Sequence, residues 1–222
     1  VKTMHLVWRS DRTASWCDDL RTDLTEWART QPLSRVQLNI ADDAVASAML
    51  RLTTFDQPVA AVVSVWAPNP LDIGPLARLA DRTAGYEVSE TVRLEPPTVT
   101  VGERAAGLAN IALLRRPADL DHAEWLRRWH IDHTPVAIET QATFGYIQNV
   151  VVRRLDASAP LIDGIVEEQF PIEALTDPHA FYGSGGDADE LMARVQRMAG
   201  SVARFGADRN IDVVPTSRFV LE

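Results

Sequence analysis

A chain of 222 residues, 46% hydrophobic and 24% charged, carries enough apolar surface for a sizeable core, as one large domain or two small ones. Its net charge of −9 and pI near 5.0 argue against nucleic-acid binding, which needs clustered Lys and Arg against phosphate. The single cysteine, Cys17, rules out an intrachain disulfide and a cysteine-based metal cluster, and the longest apolar run, Pro58 to Pro68, is too short for the roughly 20 residues of a membrane span.

The N-terminal residues Val1 to His5 lead straight into a strand-like segment with no signal-peptide core, so the expected location is the cytoplasm. Heavy use of Ala and Arg points to a GC-rich bacterial source.

Met4 to Arg9 reads as the first strand. Thr13 to Thr30 follows as an amphipathic helix with Trp16, Leu20, Leu24 and Trp27 on one stripe. Arg35 to Ile40 alternates as a strand should, and Val59 to Ala67 is the nearly continuous apolar run of a strand buried on both faces. A second helix over Asp72 to Thr83 and a closing strand over Thr91 to Glu95 complete a βαββαβ order, the ferredoxin-like unit.

The second half repeats the pattern. Leu108 to Leu114 is a strand; Asp121 N-caps the next helix with Glu124 as its capping-box partner. Tyr146 to Arg153 and Ile165 to Phe170 are the middle strands. Asp187 to Phe205 is a helix, and Asp212 to Leu221 holds a last strand broken by Pro215. Corresponding strands lie roughly 105–110 residues apart, a fixed offset that marks internal duplication. The Pro-rich link from Glu95 to Gly102 divides the chain into a diverged repeat, 1–100, and a second repeat, 101–222. Each unit leaves one sheet face to be buried, and two units in one chain can bury theirs together as an intramolecular α+β barrel with a cavity between the sheets. The glycine-rich segment Tyr182 to Gly186 is a candidate lid.

The segment from Trp125 to Pro135 carries the most chemistry. Leu126, Trp129, His130 and His133 fall at i, i+3, i+4, i+7, one helical face, just before a proline that ends or kinks the helix. An imidazole placed among large apolar groups has a shifted pKa, whether it works as an acid–base group or sits as a satisfied core histidine.

Glu124-Trp125-Leu126-Arg127-Arg128-Trp129, followed by His133-Thr134-Pro135 and Gly145-Tyr146-Ile147-Gln148-Asn149, resembles the EthD-type members of the dimeric α+β barrel superfamily. Asp163-Gly164-Ile165-Val166-Glu167 and Asp212 to Ser217 are similar to further strands of that family. The resemblance covers residues 108–222, and 1–100 only in element order. It implies a sheet-lined barrel binding small, often aromatic molecules, as in polyketide cyclases, dehydratases, decarboxylases, cofactor-free monooxygenases and haem-binding relatives. By motif position the acid–base role falls on His133, with Tyr146 as partner. The first half departs from the pattern, with Gln31 where the histidine would stand, and Gln takes no proton at neutral pH.

In the Tyr146 strand, Tyr146 and Gln148 point one way as a donor pair for a substrate oxygen; the alternative turns Asn149 into the cavity. Glu167 shares a face with Gln169, and Glu168 the other face with Val166 and Phe170. Glu167 is taken as the third catalytic candidate, either desolvated or paired with an arginine. Trp129, His130, Gln148 and Asn149 are candidate substrate contacts, joined by His5 if its strand face looks into the barrel. No histidine and carboxylate spacing favours a metal, no glycine-rich loop favours a nucleotide, and no cofactor is expected. The expected function is acid–base catalysis, as cyclase, dehydratase or decarboxylase, on a small hydrophobic aromatic or polyketide-like molecule. The alternatives are a binding accessory protein and a cofactor-free monooxygenase. Neither nucleic acid nor membrane is an expected partner; a homodimer is compatible with the fusion.

Overall fold

The computed structural model describes residues 1–222. Eight strands, β1 (Lys2–Trp8), β2 (Arg35–Ile40), β3 (Ala61–Trp66), β4 (Arg82–Leu94), β5 (Leu108–Leu114), β6 (Gly145–Arg154), β7 (Gly164–Phe170) and β8 (Asp212–Val220), close into one antiparallel barrel. Around the barrel the order is β1-β3-β2-β8-β5-β7-β6-β4, so each half of the chain contributes four contiguous strands. The seams are β2 against β8 and β4 against β6.

Side-chain alternation decides what each face does. Met4, Leu6 and Trp8 of β1 turn inward and pack with Val62, Tyr86, Ile111, Ile165 and Val214 from strands all round the barrel. Val7 turns outward and joins Val36, Leu38, Val63 and Phe219 beneath helix α1 (Ala14–Ala28), which buries Trp16, Leu20, Leu24 and Ala28. Thr13 caps that helix through its hydroxyl, 3.2 Å from the Trp16 amide. Over the second half lie α3 (His122–Arg127), a π-helical turn (Arg128–His133), α4 (Thr134–Thr140), α5 (Pro178–Tyr182) and α6 (Ala188–Arg204). No helix is long and apolar enough to cross a membrane.

Four sequence expectations shift. The second helix shrinks to α2 (Leu76–Leu79), and β4 starts near residue 82 rather than 91. That strand hides in the sequence because only Ala84, Tyr86 and Val88 are apolar residues turned inward, while its outer positions Thr83 and Ser89 meet solvent. Asp121 caps α3 at 2.9 Å from the Glu124 amide, but Glu124 returns no bond and grips Arg127 and Arg128 instead. β8 runs unbroken through Pro215, which sits where one strand edge is unpaired, between Ser217 opposite β2 and Val213 bridging Leu52.

The barrel interior is packed, not hollow as expected. Apolar side chains fill one end, and a hydrogen-bonded network around Glu167 fills the other.

Candidate active site between sheet and helices

Pro135 has no amide hydrogen to give the preceding turn, and the helix there widens into the π turn before α4 resumes. The widening moves the buried stripe to Trp125, Trp129, His133 and Ala137; Leu126 and His130 are left half-buried. Trp129 lies against β7 at Gly164, where a Cβ would stand 2.6 Å from the indole, so only glycine admits the ring. A chain of side chains pins the turn to the sheet. Arg93 Nε donates to Gln148 Oε1 at 2.7 Å, Gln148 Nε2 to Thr134 Oγ1 at 2.9 Å, and Thr134 Oγ1 to the Trp129 carbonyl at 3.0 Å.

Between the outer faces of β5 to β8 and the roof formed by α6 lies a cavity of about 170 Å³. Of the 18 residues around it, 15 are hydrophobic; the others are His133, Gln141 and Glu168. That volume is close to the ~150 Å³ of an engineered apolar cavity that holds benzene. Met198 and Val202 of α6 form the roof, Tyr146 and Val166 the floor, and Trp129, Phe181 and Tyr182 the sides.

His133 is buried, with Nδ1 2.9 Å from Ser201 Oγ on α6, and Nε2 makes no hydrogen bond. Burial alone pushes its pKa down to about 4, so the ring is neutral at pH 7. Glu168 is the cross-strand partner of Tyr146 on the same sheet face. It is half-buried and makes neither an ion pair nor a hydrogen bond, and burial pushes it up to about 7. Burial, then the Glu168 carboxylate, raise the Tyr146 phenol well above its ordinary value, only partly offset by Trp129, Arg93 and Gln148. Tyr182 is raised by the same two causes. At neutral pH the cavity thus presents a neutral imidazole, two neutral phenols and a carboxyl poised between its two states.

The structure brings His133, Tyr146 and Trp129 together and separates Glu167 and Asn149 from them. Those two face the barrel interior, because Ile147, Asn149, Glu167 and Gln169 hold the opposite parity to Tyr146 and Glu168. Glu167 accepts from Lys2 Nζ at 2.6 Å, Gln37 Nε2 at 2.6 Å and Asn149 Nδ2 at 3.0 Å. Burial pushes its carboxyl up, but Lys2, Asn149 and Gln37 outweigh that and hold it below the usual range. It is ion-paired, with the only lysine rather than an arginine.

Gln148 clamps the π turn and does not line the cavity. His130 packs at a tilt against Trp129, 4.5 Å between centroids, outside the cavity lining; burial, then Arg93, lower its pKa. His5 sits on the outer face of β1, in a separate groove with Gly85, Arg153 and Asp156. Burial lowers it to about 4 against the pull of Asp156 and Asp72.

Glu168, Ser201 and Gln141 escaped the sequence reading as site residues, and Tyr182 entered it only as the start of a candidate lid. For Glu168 the register decides: β6 and β7 run antiparallel with Tyr146 opposite Glu168, so the pairing that puts Tyr146 in the cavity puts Glu168 there too. For Ser201 no local signal exists. No three His, Cys, Asp or Glu side chains converge as a metal site.

No protein-family model matches the chain, and no curated protein matches it in sequence. Solved structures share its fold. One is an anthrone oxidase-like protein, with TM-score 0.54 and 9% identity over 99% of this chain and 93% of that one. A candidate monooxygenase from Lactobacillus acidophilus NCFM gives 0.50 and 9%, over 98% and 92%. A candidate monooxygenase from Fusobacterium nucleatum subsp. nucleatum ATCC 25586 gives 0.48 and 7%, over 100% and 91%. At 9% identity the first two likenesses show a shared fold and nothing more.

Proposed function

We propose that the chain is an acid–base enzyme for a small aromatic or polyketide-like molecule, working in the cavity of its second half. The observation that carries this reading is a pair of groups on one apolar cavity, an imidazole with a free nitrogen and a carboxyl without a partner. In this reading the two halves, 1–100 and 101–222, are fused ferredoxin-like units of the EthD type; the strand orders β4-β1-β3-β2 and β8-β5-β7-β6 support it.

Neutral His133 takes a proton at Nε2 from a phenol or from a C–H beside a carbonyl. Glu168 in its protonated form, with the Tyr146 hydroxyl, donates to the oxygen on which negative charge develops. Glu168 replaces Glu167 as the carboxylate of the mechanism. The same steps serve cyclisation, dehydration or isomerisation, since each needs a proton removed at one point and returned at another.

The anthrone oxidase-like neighbour favours a second reading, cofactor-free oxygenation. The carbanion left by His133 would react with dioxygen: a ring CH₂ becomes C=O, one oxygen atom enters the substrate and the other leaves as water with the two hydrogens.

A panel of phenols, anthrones and polyketide-like aromatics, followed by mass spectrometry and oxygen uptake, tests both. His133→Ala is expected to lower turnover of any converted compound by ~10²–10⁴-fold. Undiminished turnover in that variant would sink the acid–base assignment, and equal binding without conversion by both proteins would leave an accessory binder.

A further inference from the structure

We propose that Glu168 makes the cavity a charge filter, which admits uncharged aromatic ligands able to hydrogen-bond at both walls and rejects those bearing a carboxylate. This rests on the reading of the cavity as the ligand site and narrows its substrate class.

Two observations carry it. First, no arginine, lysine or other cation lines the cavity. Most cations on the surrounding elements are engaged elsewhere: Arg93 with Gln148, Arg115 with Asp212, Arg128 with Glu124, Arg194 with Glu190, Arg197 with Glu139, and Arg51 with the Val45 carbonyl; Arg204, in the last turn of α6, is exposed and stands outside the cavity lining. A ligand carboxylate entering this space would lose its water and gain no counter-charge, which is costly in an apolar pocket.

Second, the one carboxyl present is itself unpartnered and reaches the cavity from the sheet wall, whereas His133 reaches it from the helical wall. No hydrogen bond joins the two, and neither shifts the other's titration. They are separate anchors, and a ligand hydroxyl or carbonyl at each end satisfies both. An anionic ligand meets like charge at Glu168 instead. The enzyme therefore stands after any step that removes a free carboxylate from its substrate, and is not itself the decarboxylase.

The probes are 4-ethylphenol and 4-ethylbenzoate, titrated by NMR at the His133 ring signals of wild type and Glu168→Gln. At pH about 8 the wild type is expected to bind the benzoate at least ~10-fold more weakly than the phenol. At pH about 5.5 the benzoate is still ionised but Glu168 is protonated, and the gap narrows several-fold without closing, since the carboxylate still loses its water. Glu168→Gln gives the small gap at both pH values. The wild-type pH comparison needs no variant, so a misfolded Glu168→Gln leaves the test intact. Equal binding of the two probes by wild type at pH about 8 overturns the filter while the cavity stands as a site. Silence of the His133 signals with both probes overturns the filter together with the cavity reading.

Discussion

Glu167 and Glu168 are neighbours on one strand, and the sheet between them separates two environments. Inside the barrel Glu167 has Lys2, Gln37 and Asn149 on its oxygens, and the network continues through Asn39 to Thr216. Outside, Glu168 faces a cavity with no partner at all. The outer face of the first half is lined differently: Val36 opposite Val65 and Leu38 opposite Val63 pack under α1 where the second half has Tyr146 opposite Glu168 and Gln148 opposite Val166. What sets the structural carboxylate apart from the one held ready for a ligand is that its oxygens are satisfied.

The largest test of that contrast is on the inner face. Lys2→Met leaves Glu167 buried with its charge uncompensated, and the expected loss is about 3–5 kcal/mol in denaturant unfolding at neutral pH. Glu168→Gln, one residue along, is expected to cost nothing there. Equal losses from the two would erase the distinction between the faces.

The outer face has a pH signature with opposed signs. Glu168 rises from its ordinary 4.5 to about 7, so between those values the folded chain holds a proton that the unfolded chain has lost. Its contribution to stability falls as pH rises through that window and is level above it. His133 drops from 6.5 to about 4, so there the unfolded chain holds the extra proton and stability rises with pH. The two slopes oppose each other in wild type. Glu168→Gln should gain about 1–2 kcal/mol over wild type at pH 8 and nothing below pH 4.5, after allowance for the solvent that reaches the carboxyl. His133→Asn should gain over wild type only at the acid end. Parallel stability–pH curves for all three proteins would place both groups in water.

The strand ladder was largely readable, because seven of the eight strands carry apolar runs or strict alternation that one sequence displays. β4 was half lost since its outer positions are polar, and the short α2 was overdrawn from two leucines, Leu76 and Leu79. At the site, His133 and Tyr146 were legible from the aromatic segment before Pro135 and the strand after it. The choice of Glu167 over Glu168 failed on a parity question. A strand with polar side chains on both faces does not say which face meets the helices, and only the register against β6 decides it.

Ser201 tests how far the helical roof serves the sheet. It is the one buried residue of α6, and its hydroxyl ends at His133 Nδ1. If Ser201 accepts the Nδ1 proton, Nε2 carries the lone pair toward the cavity, the form a general base requires. Ser201→Ala is expected to cost only about 1 kcal/mol of stability, yet to leave His133 a mixture of tautomers visible in its ¹⁵N shifts. Turnover should fall several-fold with KM nearly unchanged, and Ser201→Thr, which keeps the hydroxyl, should restore both readouts. A single unaltered tautomer in Ser201→Ala would mean the roof merely covers the imidazole and does not orient it. The contrast would then lie in the sheet alone, between Glu167 with its partners and Glu168 without them.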